Sequence, residues 1–219
     1  MRTLVLATAL VVAGSALADR DVTHTFQSTA ARGKVQRVVI DIPTGSFTIR
    51  NGSTDRLAVS GIASRDYNGS DERAWAQKVV NDTSVEIYVS GTEAIVRRKF
   101  GPNADGFRAR KFTGFDLRIE LPAGVDVKFE TTAGEIDMNG QYGHVDIDLR
   151  AGEIDLRMPR ANVRELKASC RVGEVRTRIG DQITTREGVF PGTTSYFNAS
   201  GRNIVRVHTT AGEVRITLQ

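Results

Sequence analysis

Apolar and polar side chains alternate around a recurring glycine in the second half of the chain. The motif occurs at Thr131–Met138, Leu149–Leu156, Cys170–Thr177 and Thr209–Ile216, with a fainter copy at Val189–Tyr196. Alternation with a period of two is typical of β-strands, because successive side chains point to opposite faces. The pattern predicts strands that bury one set of positions and expose the other.

The spacing of these copies predicts the architecture. Their glycines are separated by 18, 21, 19 and 20 residues, and they are Gly134, Gly152, Gly173, Gly192 and Gly212. Repeats of about 20 residues are typical of short β-solenoid and leucine-rich units, and the leucine ladder of the latter is absent. We therefore predict an all-β fold, a parallel β-solenoid whose successive coils stack on one another. Each glycine should mark a corner that has no room for a Cβ.

Two columns of each copy are predicted to point inward, at the positions two and four residues after the glycine. They are Ile136, Ile154, Val175, Thr194 and Val214, then Met138, Leu156, Thr177, Tyr196 and Ile216. Cys170 shares the inward register. As the only cysteine it forms no internal disulfide, so we expect a buried thiol.

The preceding part of the chain follows the same pattern less regularly. One short helix is predicted, capped by Ser70 and ending near Asn81, because acidic residues suit its first turn and an apolar pair follows four residues apart. Strands are predicted within Val38–Ile49, Leu57–Ala63, Val85–Val89 and Phe115–Leu121.

The chain begins with a predicted signal peptide, residues 1–18. Leu4 to Ala13 is apolar but too short to span a bilayer, and the small residues that end at Ala18 suit cleavage after it. The mature chain shows no second apolar stretch, so we expect a periplasmic or secreted protein without a transmembrane segment. Residues 19–219 are predicted to form one elongated domain, with irregular coils over 35–121 and regular repeats over 122–219.

The strand Asp116–Leu121, the segment Pro122–Val127 and the motif Thr131–Ile136 together resemble a bacterial cell-envelope family of putative adhesins, formerly a domain of unknown function. The resemblance covers about residues 35–219. It implies a β-solenoid and brings no catalytic motif to this chain.

Charge is balanced along most of the chain, with 30 basic and 26 acidic residues and a net charge of +4 that falls to +3 without the leader. This balance does not favour nucleic acid as a partner. One segment departs from it, because phenylalanines are interleaved with basic residues on a predicted exposed loop. The candidate binding residues are Arg97, Arg98, Lys99, Arg108, Arg110 and Lys111. Such a segment could bind an anionic glycan or lipid headgroups, or could be a solvated hairpin whose phenylalanines cover the core.

Other polar positions have structural interpretations. The glutamates that follow the glycines, Glu135, Glu153, Glu174 and Glu213, suggest either a solvated ladder offset by arginines or a catalytic carboxylate pair. The arginines expected in the ladder are Arg150, Arg157, Arg171, Arg176, Arg178 and Arg215. Asp137, Asp146, Asp148 and Asp155 could bind Ca²⁺, but no known calcium motif is present. His24, His144 and His208 lack zinc-type spacing, and no nucleophile elbow occurs.

These observations favour an exported, non-enzymatic envelope protein that offers an adhesion, scaffold or ligand-binding surface and needs no cofactor or metal. A carbohydrate-active enzyme on a β-helix is the first alternative. It requires two carboxylates outside the regular ladder, roughly 5–10 Å apart. A self-assembling or sensory module that associates through the ends of its stack is the second, because bare strand edges invite pairing.

Overall fold

The computed structural model describes residues 21–104, 106, 113–190 and 192–219. Within them the chain forms one α-helix, α1 (Ser70–Asn81), and 13 strands of one sheet. The strands are β1 (Asp21–Ala31), β2 (Arg37–Asp41), β3 (Thr44–Asn51), β4 (Arg56–Asp66), β5 (Thr83–Ser90), β6 (Glu93–Phe100), β7 (Gly114–Leu121), β8 (Asp126–Asn139), β9 (Val145–Met158), β10 (Val163–Ile179), β11 (Gln182–Val189), β12 (Thr193–Phe197) and β13 (Asn203–Leu218). The all-β prediction is confirmed, and the predicted signal peptide lies outside the described residues.

The sheet is mixed and open. Its main path runs β1-β4-β7-β3-β8-β9-β13-β10-β11, and a second path joins β5, β6 and β2 to β8. All pairs from β7 through β3, β8, β9 and β13 to β10 are parallel. The strands at the margins, β1, β4, β5, β11 and β12, pair in antiparallel fashion. Parallel strands therefore form the centre.

The glycine divides each long central strand into two halves, and in β8 and β10 the two halves also pair with different strands on the outer side. The first half of β8 pairs with β2 and its second half with β3. Apolar side chains from both halves belong to one core. Phe47 of β3 and Phe129 of β8 illustrate this, with ring centroids 4.7 Å apart in an edge-to-face contact. The sheet thus folds around its own apolar face.

The predicted inward columns are buried wherever they fall on the parallel strands. Ile136, Ile154, Val175 and Val214 are at most 2% exposed, and Met138, Leu156, Thr177 and Ile216 are at most 1% exposed. Each large apolar side chain buried in this way stabilises the fold by about 1.5–3 kcal/mol. Cys170 is also buried, as its register predicted.

The glycines form a ladder across the parallel strands. Gly134, Gly152, Gly173 and Gly212 have φ between 132° and 147°, where a side chain is strained. A Cβ on Gly152 would lie 1.9 Å from the carbonyl oxygen of Gly134, and the other three glycines face the same obstruction from the next glycine of the ladder. Gly45 of β3 begins the series. The predicted lack of room for a Cβ is confirmed at these four glycines but not at Gly192, where a Cβ would meet only Arg186 Nη1 at 3.9 Å.

The predicted order of stacking is wrong. β13 lies between β9 and β10, so Gly212 sits between Gly152 and Gly173. The faint copy at Val189–Tyr196 is not a parallel rung, because the chain reverses after β10 at Gly180, where φ is 58°. β11 then returns antiparallel, and Gly188 rather than Gly192 faces Gly173. The structure therefore does not confirm a solenoid that advances in chain order.

The helix forms where it was predicted, but its N-cap residue differs from the predicted one. Gly69 occupies the N-cap position, and no side chain caps the helix. The backbone amide of Asn68 instead donates a hydrogen bond to the Glu72 carboxylate over 2.9 Å. Ala76 and Val80 pack against Val22 of β1 in a small separate cluster. Within the described residues no helix is both long and apolar enough to cross a membrane.

Candidate binding surfaces

The first half of the basic segment lies on β6 of the edge hairpin formed by β5 and β6, so the predicted exposed loop is wrong for Arg97, Arg98 and Lys99. Arg97 and Lys99 are exposed on β6, and both contact Glu86 of β5. The Arg97 Nε donates to Glu86 Oε1 over 2.9 Å, and Lys99 Nζ lies 3.5 Å from Oε2. The hydrogen bond from Arg97 is the main reason why the pKa of Glu86 is lowered. One carboxylate thus offsets part of the charge of two predicted binding residues.

Arg98 lies between these residues in sequence and is half-buried. Its guanidinium carbon is 5.1 Å from the centroid of the Phe100 ring. Phe100 packs against the small cluster of Val79 and Ala104, which is separate from the main core that the hairpin alternative expected it to cover. The other candidates, Arg108, Arg110 and Lys111, lie outside the described residues. Arg97, Arg98 and Lys99 are consecutive on β6 beside the edge strand β5, and Arg98 lies on the opposite face from the other two.

The glutamates form a row on the outer face of the second strand halves. Register places them in the order Glu135, Glu153, Glu213, Glu174 and Glu187 on five neighbouring strands. Sequence analysis missed Glu187, because it lies on the antiparallel strand β11. Arg215 contacts Glu213 of its own strand and lies 3.8 Å from Glu153 of the next. The hydrogen bond to Glu213 raises the pKa of Arg215.

Arginines offset this acidic row only in part. Arg157 contacts Asp155 and lies 3.9 Å from Asp137, and Arg50, which sequence analysis missed, also contacts Asp137. Four other arginines that were expected to join the ladder form no ion pair within the described residues. These four are Arg150, Arg171, Arg176 and Arg178. Ion pairs between arginines and the outer acidic residues therefore form on the central strands but not on the second half of β10 within the described residues.

The four candidate calcium ligands do not form one site. Asp137 and Asp155 contact arginines on the outer face of the second strand halves, whereas Asp146 and Asp148 lie on the first halves of the strands. Among the described residues no group of three or more His, Cys, Asp or Glu side chains has a metal-binding arrangement.

Two histidines contact neighbouring strands or loops. His144 accepts the Ile204 amide at Nδ1 over 3.0 Å. His208 Nδ1 lies 3.0 Å from Ser169 Oγ on β10, and Asp148 is its register partner on β9. The alignment of Ser169, His208 and Asp148 cannot be predicted from chain order, because β13 lies in the sheet between β9 and β10, which both precede it in the sequence. His208 is exposed, and no hydrogen bond joins it to Asp148 within the described part of the chain.

Comparisons with known proteins give distant structural likenesses. No family model and no curated protein sequence matches the chain. A putative cell adhesion protein from Clostridium sporogenes is 10% identical, with a TM-score of 0.49 over 90% of this chain and all of that one. Putative adhesins from Parabacteroides merdae and Bacteroides fragilis are 9% and 7% identical, with TM-scores of 0.29 and 0.26. They cover 91% of this chain and 82% and 98% of their own. At these values the likenesses carry no argument about function.

Proposed function

We propose that the protein is an exported, non-enzymatic envelope protein that binds an anionic envelope glycan at the β5–β6 hairpin and the basic segment that continues from it. In this proposal the leader is cut after Ala18, and residues 19–219 form one elongated domain in the periplasm or outside the cell. The observation that carries the proposal is the pair of exposed cations on β6, Arg97 and Lys99, for which Glu86 is the shared carboxylate. The glutamate row on the outer face would repel an anionic polymer, so the proposed contact is confined to the basic segment.

The edge hairpin and the basic segment that follows it in the sequence supply the proposed contacts. Arg97 and Lys99 share one acidic partner, Glu86, so the hairpin carries net positive charge there. Arginine and lysine can bind the carboxylates and phosphates of a polymer, and aromatic side chains between them add apolar contact. The proposed site is the full basic set, Arg97, Arg98, Lys99, Arg108, Arg110 and Lys111.

A catalytic use of the glutamate row is less well supported. Glu135 and Glu153 are register partners, and carboxylates about 5 Å apart serve retaining glycosidases. However, the same juxtaposition recurs between each neighbouring pair of the five strands. An active site requires one pair whose surroundings differ from the rest, and regular recurrence favours a structural role.

Replacement of all six basic residues by glutamine tests the proposal. Retention of the purified protein on anionic envelope glycan should fall at least about tenfold, because each lost cation removes favourable charge pairing. A matched control replaces six other basic residues by glutamine, and these are Lys34, Arg56, Arg73, Lys78, Arg164 and Arg202. Equal losses in the two variants would mean that only net charge matters. Unchanged retention of the first variant would refute the proposed site.

A further inference from the structure

Exposed apolar side chains are concentrated at one end of the sheet. Eight large hydrophobic residues of the described chain are exposed, and five of them lie on or beside β10, β11 and β12. These five are Val172, Ile183, Val189, Phe190 and Phe197. Single exposed hydrophobics need no explanation, but a concentration at one end of a molecule indicates an interaction surface.

Three of these side chains form the tip where β11 ends. Val172 and Val189 are direct register partners and are 45% and 69% exposed. Phe190 follows and is 68% exposed. Its amide donates to the Arg171 carbonyl over 2.7 Å, which fixes the backbone beside β10. We call Val172, Val189 and Phe190, with Arg171 and Arg186, the terminal tip.

The backbone of Phe190 is unusual. Its φ is 55°, and within the described residues it is the one non-glycine residue with a positive φ. A bulky side chain in this region is strained and persists where the surrounding structure holds it. No burial of the phenyl ring compensates for this strain, because most of the ring is exposed. The strain is accounted for if the ring is buried against something outside the chain.

Two arginines flank the apolar tip. The guanidinium carbon of Arg171 lies 5.4 Å from the centroid of the Phe190 ring. A Cβ placed on Gly192 would lie 3.9 Å from Arg186 Nη1, so the Arg186 head group is beside the same turn. Neither arginine forms an ion pair within the described residues, in contrast to Arg157 and Arg215 on the central strands.

We infer that the terminal tip docks on the surface of an anionic lipid bilayer. Val172, Val189 and Phe190 enter the boundary between headgroups and acyl chains, and Arg171 and Arg186 bind the phosphates around them. This combination of exposed apolar side chains and uncompensated arginines matches the chemistry of an anionic bilayer surface. Glu174 of β10 and Glu187 of β11 are register partners two residues away from Val172 and Val189. An anionic surface repels their carboxylates, which limits the tip to shallow insertion.

A second copy of the chain is a less suitable occupant. β11 is an edge strand, and edge strands can pair with those of another molecule. Arg186, however, is the register partner of the fully buried Val175, so it lies on the inward-facing side of the edge. A charged residue at such a position blocks the addition of a further strand. The tip lies on β10 and β11. Among the first strand halves, β10 is at the opposite end of the sheet from the β5–β6 hairpin, so this inference is independent of the proposed function.

Sedimentation with lipid vesicles tests the inference. Vesicles of phosphatidylcholine alone and of phosphatidylcholine with about 30% phosphatidylglycerol are compared, and binding is scored as the difference between them. Each variant is compared with a wild type that has the same N-terminus, which removes any contribution of a retained leader. We expect binding to the anionic vesicles that falls at least about tenfold in Val189→Ser/Phe190→Ser and in Arg171→Gln/Arg186→Gln. Tyr88→Ser/Val89→Ser and Arg56→Gln/Arg73→Gln are the matched controls and should bind like the wild type. Circular dichroism verifies that each variant is folded.

A second readout detects insertion directly. In Phe190→Trp, the fluorescence of the new tryptophan should shift to shorter wavelength when anionic vesicles are added. The single natural tryptophan, Trp75, is measured in the wild type as background. Absence of vesicle binding by the wild type, or unchanged binding by both tip variants, would overturn the inference. So would loss of binding in the arginine variant alone, which indicates a soluble polyanion, or a dimer without lipid that Val189→Ser/Phe190→Ser abolishes.

Discussion

The carbonyl oxygen of Gly134 occupies the space that a Cβ of Gly152 would need. The separation would be 1.9 Å, and Gly152 also has a φ of 134°. No side chain can be accommodated here by a rotamer change, because the obstructing atom belongs to the backbone of the neighbouring strand. Every parallel rung repeats this relationship, so the ladder fixes how the central strands align.

Gly152→Ala should therefore destabilise the protein by about 4 kcal/mol or more, or prevent folding. Gly91→Ala is the matched control, because Gly91 also has a positive φ but a Cβ there meets nothing within 4 Å. That control should lose only about 1–2 kcal/mol. Urea unfolding measures both free energies, and equal losses would show that close approach of the backbones is unimportant.

Arg215→Gln should lower the free energy of unfolding by up to about 1 kcal/mol at low salt. The guanidinium contacts Glu213 and approaches Glu153, but roughly half of it is exposed, so solvent and salt screen the interaction. Arg176→Gln is the control, since Arg176 is the register partner on β10 and forms no ion pair within the described residues. The difference between the two variants should shrink in about 1 M salt. A difference that persists there would contradict an ionic origin.

Glu86 should make the stability of the edge hairpin depend on pH. Its pKa is lowered in the folded state, chiefly by the hydrogen bond from Arg97, so the folded protein binds fewer protons than the unfolded chain. The contribution is present above the unfolded pKa of about 4.3 and is lost as pH falls through the lower, folded pKa. The wild type should be more stable than Glu86→Gln at pH 7, and the difference should shrink progressively as the pH falls below about 4. A constant difference across this range would contradict the assignment.

The Cys170 thiol should react slowly with thiol reagents in the native state. Burial raises its pKa, and the thiolate is the reactive form. We expect modification at least about 100-fold slower in buffer than in strong urea, where the same side chain is exposed. The chain contains one cysteine, so the signal has a single source. Comparable rates in the two solvents would mean that the first half of β10 opens readily.

The alternation of apolar and polar residues predicted the strands of the parallel centre and their buried faces, because side-chain direction depends only on local geometry. It did not predict β1 or β6. It could not predict strand order. The motif copies at Gly152, Gly173 and Gly212 are nearly alike, so their pattern does not specify which of them become neighbours. The reversal after β10 had a local signal that went unused, since Gly180 and Asp181 form a two-residue turn between alternating runs.

The candidate sites were less predictable for a related reason. Gly91 and Thr92 connect β5 to β6, and this turn sets the register that places Glu86 opposite Arg97. Without that register the basic residues seemed to lack partners. The alignment of Ser169 with His208 depends on the insertion of β13, which no short-range pattern indicates. The exposure of Phe190 likewise follows from its place at the last strand of the sheet.

The position of β13 has a consequence for how the molecule is assembled. β9 and β10 are made before it and are close in sequence. β9 already has β8 as a parallel neighbour, but its other edge and one edge of β10 are paired only when β13 arrives. These two strand edges stay unpaired in the meantime, which exposes the unfinished chain to wrong pairing and to chaperones. Closure of the central sheet is therefore a late event.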